Sequence, residues 1–109
     1  MTAPPAEPPA SSLPEGSDAN VLRRRLTICN KRGLHARAAA KFVTLAERFG
    51  ASVEVEKDGQ SVSARSIMGL MMLGAGLGAT IELRAEGWDA KEAIEALSAL
   101  VEAGFHEQD

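Results

Sequence analysis

Thr80-Ile81-Glu82-Leu83-Arg84-Ala85-Glu86 alternates polar and apolar side chains without a break. In a strand successive side chains point to opposite faces, so Ile81, Leu83 and Ala85 share one face while Glu82 and Arg84 share the other. A strand that is dry on one face and wet on the other belongs to an antiparallel sheet, because parallel strands are covered on both sides. Downstream, Asp89-Ala90-Lys91-Glu92 has the form of a capping box, and Ala93, Ile94, Leu97, Leu100 and Val101 recur at helical spacing up to Gly104. This stripe predicts a last helix packed on the dry face of the sheet.

Working back from that strand, Gly74-Ala75-Gly76-Leu77-Gly78 reads as a flexible connector. It follows a helix and leads into a strand, the reverse of the order a nucleotide-binding loop requires. Ser66 precedes Ile67-Met68-Gly69-Leu70-Met71-Met72-Leu73 as the N-cap of a short helix stopped by Gly74. Two short strands come before it, Ser52 to Lys57 and Gln60 to Ala64, with Val53, Val55 and Val62 inward and Asp58-Gly59 as a tight hairpin turn. In LHARAAAKFVTLAERFG (34–50), Ala39, Phe42, Val43, Ala46 and Phe49 fall at helical spacing. The helix begins at or just after His35, with Gly50 as its stop. Leu22, Leu26 and Ile28 alternate towards Cys29, predicting a first strand with Arg23, Arg24 and Arg25 solvated and Cys29 a small packing residue. Asn30 to Gly33 is a turn. The order strand, helix, strand, strand, helix, strand, helix predicts an α+β fold, a sheet and a helical layer forming a two-layer sandwich.

The chain has 109 residues, and all five prolines fall within the first 14. Residues 1–20 offer little to bury and are expected to be a disordered acidic, Pro-rich extension, leaving 21–109 as the folded domain. The extension holds three acids (Glu7, Glu15, Asp18) and no base, so 12 acids meet 12 bases in the domain. A neutral domain with only four aromatic residues lacks the cationic stripe and stacking platforms of nucleic-acid binders. No apolar run is long enough to span a bilayer, and the N-terminus lacks the features of a signal peptide, which predicts a cytoplasmic protein with no membrane insertion. One cysteine cannot form an internal disulfide, and His35 and His106 are too far apart in sequence for a recognisable metal-ligand spacing. Neither a metal nor another cofactor is expected.

The most unusual local arrangement is Gly33-Leu34-His35-Ala36-Arg37, a histidine between a glycine turn and a helix. Free N–H groups of a first helical turn form an anion site, and the positive end of the helix dipole favours the neutral imidazole. Arg37 can reach phosphate oxygens, and alanines at 36, 38, 39 and 40 leave the helix end uncrowded. The plain alternative is a capping or partly buried histidine. No acid or second histidine lies close to His35 in sequence, and there is no GxxxxGK[ST] motif, so a separate donor enzyme must bring any phosphoryl group. His106, in a frayed C-terminus, is expected to be inert. The second candidate site is Ser66 with Ile67, Met68 and Met71, an adaptable apolar surface for partners, Leu70 and Leu73 being assigned to the core. A phosphate on Ser66 would suit the helix N-terminus but place about two negative charges beside that surface.

GLHARAAAKFV (33–43), SIMGLMMLG (66–74) and GATIELRAEG (78–87) stand in the order and spacing of the histidine-containing phosphocarrier family HPr of the bacterial phosphoenolpyruvate-dependent phosphotransferase system, which the chain resembles over about residues 22–104. The resemblance implies an open-faced sandwich, a four-stranded antiparallel sheet with three helices on one side. It further implies a non-enzymatic carrier, with His35 the phosphoacceptor through Nδ1, Arg37 the phosphate-contacting residue, Ser66 a regulatory phosphorylation site and Ile67, Met68 and Met71 the docking surface. Partners implied are enzyme I, enzyme IIA-type proteins and a serine kinase/phosphorylase acting on Ser66; a monomer suits a shuttle that exposes one face to successive proteins, with the oligomeric state left open. Two departures are Ala38, where many members have proline, and the N-terminal extension; they leave both the sugar branch and the nitrogen-related regulatory branch open. Two other readings stand beside the phosphocarrier: a regulatory module acting through protein-protein contacts, and a small ligand-binding domain.

Overall fold

The computed structural model describes residues 21–107 and runs through β1 (Val21–Thr27), α1 (Ala36–Ala46), β2 (Ser52–Lys57), β3 (Gln60–Ser63), α2 (Ile67–Met72), β4 (Thr80–Glu86) and α3 (Ala90–Glu102), closing with a 3₁₀ turn at Gly104–His106. The expected disordered extension, residues 1–20, lies outside the described residues, as do 108 and 109.

All strand pairs are antiparallel, in the order β1-β4-β2-β3, so β4 sits between the first strand and the β2–β3 hairpin. The register places Leu26 opposite Ile81, Val55 opposite Leu83 and Val53 opposite Ala85. These inward side chains are buried with Phe42 of α1, Leu70 of α2, and Ile94, Leu97 and Val101 of α3 in one core. The opposite face is polar: the Arg84 guanidinium reaches Glu54 (3.5 Å) and Glu56 (3.3 Å) and donates to the Ser61 hydroxyl. The four-stranded antiparallel sheet with three helices over its apolar face is the open-faced sandwich. At the hairpin tip both Asp58 (φ 53°) and Gly59 (φ 83°) are left-handed, as a type I′ turn demands.

Several local expectations are corrected. β1 ends at Thr27, and Cys29 lies beyond it, exposed, with its thiol 3.4 Å from the Val101 carbonyl oxygen. Ile28 occupies the inward position just before it, exchanging backbone hydrogen bonds with the Gly78–Ala79 segment, so the next side chain turns out. Leu22 is 39% exposed at the outer end of this edge strand. β3 stops one residue early, at Ser63.

α1 ends at Ala46 instead of running to Gly50, and its last turn tightens through Arg48 N–H to Leu45 O and Phe49 N–H to Ala46 O. The capping box at Asp89 does not form. Although Asp89 is the N-cap of α3, its carboxylate accepts Gly50 N–H (2.9 Å) and Ala51 N–H (2.8 Å), leaving no side-chain bond to its own helix. One buried acid thus joins the start of α3 to the segment leading into β2.

The Gly74–Gly78 connector is also tied down. The Ala75 carbonyl accepts Leu34 N–H at 2.9 Å, Gly78 N–H donates to Ile28 O at 2.8 Å, and Ala75 itself is buried. The segment after α2 therefore forms one wall of the loop before α1.

Candidate functional site

His35 is the N-cap of α1. Its backbone is extended, its carbonyl accepts the first helical bond from Ala39 N–H (2.8 Å), and its ring Nδ1 accepts Arg37 N–H at 3.2 Å. The imidazole replaces the Ser, Thr or Asp side chain that commonly takes this position, and Nδ1 faces the free N–H groups of the first turn. The loop before it is closely packed. Gly33 has φ +66°, and a Cβ there would stand 2.7 Å from the Gly76 Cα, so only glycine fits.

The alanines leave the helix end uncrowded, yet the imidazole is not free. The other ring nitrogen, Nε2, is hydrogen-bonded to Glu107 Oε2, and the His35 side chain retains 17% exposure. The ring is flanked on one side and open on the other, where its contact with Arg37 N–H is exposed. Glu107 comes from the far end of the chain, 72 residues away in sequence, and no pattern near His35 announces it.

The route of Glu107 to the ring is built by the C-terminal turn. Gly104, Phe105 and His106 all adopt positive φ (64°, 58° and 60°), an uncommon run for two residues with a Cβ. Phe105 is fully buried and its carbonyl accepts the Lys41 ammonium at 2.6 Å, anchoring the turn to α1. Gly104 to Glu107 are therefore tied down where fraying was expected, while the His106 side chain is exposed. Asn30 then fixes the carboxylate: its Nδ2 donates both to Gly33 O (2.8 Å) and to Glu107 Oε1 (3.1 Å), and the residue is 6% exposed. The hydrogen bond with His35, aided by Asn30 and by the charge of Arg32 and opposed by desolvation, holds the Glu107 carboxyl below its ordinary value.

Arg37 is exposed one position into α1 and makes no ion pair among the described residues. Ser66 caps α2 as expected, its Oγ accepting Gly69 N–H at 2.9 Å. A Cβ at position 69 would lie 3.0 Å from that Oγ, so Gly69 gives the cap its space. Leu70 and Leu73 are buried, whereas Ile67 (40%), Met68 (67%) and Met71 (40%) are exposed. The apolar surface is larger than the sequence reading allowed, since Met72 and Leu77 are exposed as well. No group of side chains suited to a metal ion occurs among the described residues.

The family of the PTS HPr component phosphorylation site matches residues 22–103. The chain is 49% identical over 87 residues to the phosphocarrier protein HPr of Cupriavidus necator, covering 80% of this chain and 98% of that one. It is also 49% identical over 86 residues to the phosphocarrier protein NPr of Shewanella violacea, covering 79% and 94%. Among solved structures, HPr-C-His from Thermoanaerobacter tengcongensis superposes with a TM-score of 0.77 at 48% identity, covering 81% of this chain and 99% of that chain. Fold, site and matches together define a phosphocarrier of a phosphotransferase system. The chain belongs to the HPr family.

Proposed function

We propose that His35 accepts a phosphoryl group at Nδ1 from phosphorylated enzyme I, which draws it from phosphoenolpyruvate, and passes it to a histidine of an enzyme IIA-type acceptor in the cytoplasm. The observation that carries this reading is the N-cap geometry: Nδ1 sits over the first turn of α1 while Nε2 is occupied by Glu107. The Nδ1 lone pair attacks phosphorus in line, the Nδ1–P bond forms as the donor's N–P bond breaks, and the bonding pair departs with the donor nitrogen. Arg37 N–H, which Nδ1 held at rest, is then free for a phosphoryl oxygen, and the adjacent guanidinium supplies charge. A helix end and one arginine are modest stabilisers, suited to a group that must leave again. The chain works as a monomer that presents this face to successive partners. Incubating it with enzyme I and phosphoenolpyruvate should add one acid-labile phosphoryl group detectable by mass, and His35→Ala should remove it. Labelling that survives in the variant refutes the assignment.

Ser66 is the candidate regulatory site for a serine kinase/phosphorylase, beside the exposed Ile67, Met68 and Met71 that we assign to docking. A second reading, a nitrogen-related regulatory protein acting mainly through protein contacts, draws on the equal likeness to an NPr and on the exposed methionine surface. Under it, His35→Ala would retain biological activity while Met68→Asp would lose it.

A further inference from the structure

Resting on the phosphocarrier reading of His35, we infer that Glu107 is a positioning residue for the transfer: its carboxylate keeps the ring proton on Nε2, so that Nδ1 alone offers its lone pair to phosphorus. A neutral imidazole carries one N–H, and the hydrogen bond made by one nitrogen decides which tautomer is present. Here the two nitrogens face unlike partners. Nε2 meets an anionic oxygen that can only accept, and Nδ1 meets a backbone N–H that can only donate. Both contacts select the same tautomer, with the proton on Nε2.

The carboxylate is itself held in place. Asn30, nearly buried, donates to its other oxygen and to Gly33 O, so one amide side chain joins Glu107 to the loop that sets His35. The left-handed run from Gly104 to His106 delivers Glu107 to the ring, with Phe105 buried as its anchor. Backbone in so sparsely populated a region persists where surrounding contacts impose it, and here those contacts end on the reacting histidine.

Charge flow gives the carboxylate a second effect. When Nδ1 binds phosphorus, the Nε2 proton stays and the ring becomes formally cationic; the proton needs no destination. Glu107 faces that charge and stabilises the phosphorylated form relative to the free one. Removing the carboxylate leaves the cation unmatched, makes the ring a better leaving group and shifts the phosphoryl equilibrium back towards the donor.

The test uses the full chain with ¹⁵N-labelled histidine. At a pH alkaline enough for the ring to be neutral, the wild-type His35 spectrum should show Nε2 as the N–H nitrogen and Nδ1 as the unprotonated one. Glu107→Ala, which leaves only the Arg37 N–H contact to bias the ring, should raise the share of the Nδ1–H tautomer above that of wild type. Glu107→Gln, which keeps size but not charge, should lower the equilibrium ratio of phosphorylated to free chain, measured against enzyme I and phosphoenolpyruvate, by about three- to tenfold. Melting curves of both variants check that the domain remains folded. A wild-type ring protonated on Nδ1, or folded variants that match wild type in tautomer and equilibrium while His35 is labelled normally, overturns the role of Glu107 alone. A wild-type chain that takes no phosphoryl group on His35 overturns the carrier reading and this inference with it.

Discussion

Gly33 packs directly on the backbone of Ala75 and Gly76, and the Ala75 carbonyl accepts the N–H of Leu34 at 2.9 Å. The residue two before the site histidine and the connector after the methionine helix are thus in contact. The loop that sets His35 and the connector after α2 share one wall, although Gly33 and Ala75 stand 42 positions apart in the chain.

Gly33→Ala meets two penalties at once, a left-handed backbone and a Cβ placed 2.7 Å from Gly76 Cα. The first costs about 1–2 kcal/mol, and the clash adds roughly 1–3 kcal/mol through displaced backbone. Urea unfolding should show a loss in that combined range. A variant within about 0.5 kcal/mol of wild type would mean that the contact is not as close as described.

Asp89 satisfies two backbone donors outside its own helix. Asp89→Ala should therefore destabilise by about 2–4 kcal/mol, because it leaves both N–H groups in buried or partly buried surroundings without a partner. Asp89→Asn, which retains one acceptor oxygen, should lose less. The reverse ranking in thermal melts would contradict the double contact.

At Ser66 stability and docking should separate. Ser66→Ala removes the acceptor for Gly69 N–H and should cost about 0.5–2 kcal/mol, read from denaturant midpoints. Ser66→Asp preserves a cap yet puts charge beside Met68 and Met71, so it should stay near wild-type stability while slowing phosphoryl exchange with enzyme I. Equal exchange rates for wild type and Ser66→Asp would remove the docking assignment.

The lowered Glu107 carboxyl links stability to pH. Because the folded value lies below the ordinary 4.5, the unfolded chain binds protons first as pH falls; the stabilising effect is complete above that value and fades below it. Glu107→Gln should consequently lower Tm at pH 7 and converge on wild type as pH drops well under 4.5, when melts are compared at the two ends. A Tm gap that stays constant across this window would show that the carboxylate charge is not involved.

Much of this architecture is legible locally. Alternation in 80–86 assigns β4 and its dry face, helical spacing in 36–46 and 90–102 assigns two helices, and Asp58-Gly59 marks its hairpin, because each rests on contacts or dihedrals spanning a few residues. The N-cap positions of His35 and Ser66 are readable for the same reason. Local pattern misleads where a side chain has a distant competitor: Asp89 looks like a cap for α3 but binds Gly50 and Ala51, and the glycine run at 74–78 looks loose but is bonded to Ile28 and Leu34.

The elements, their order and the helix end on which the histidine stands are written in the chain, since these depend on side-chain period and on the few residue types that tolerate turns and caps. Which acid meets that histidine is settled by long-range packing. Glu107 arrives through a left-handed turn anchored by Phe105 and Lys41, and a contact closed across 72 residues leaves no periodic trace in the chain that makes it.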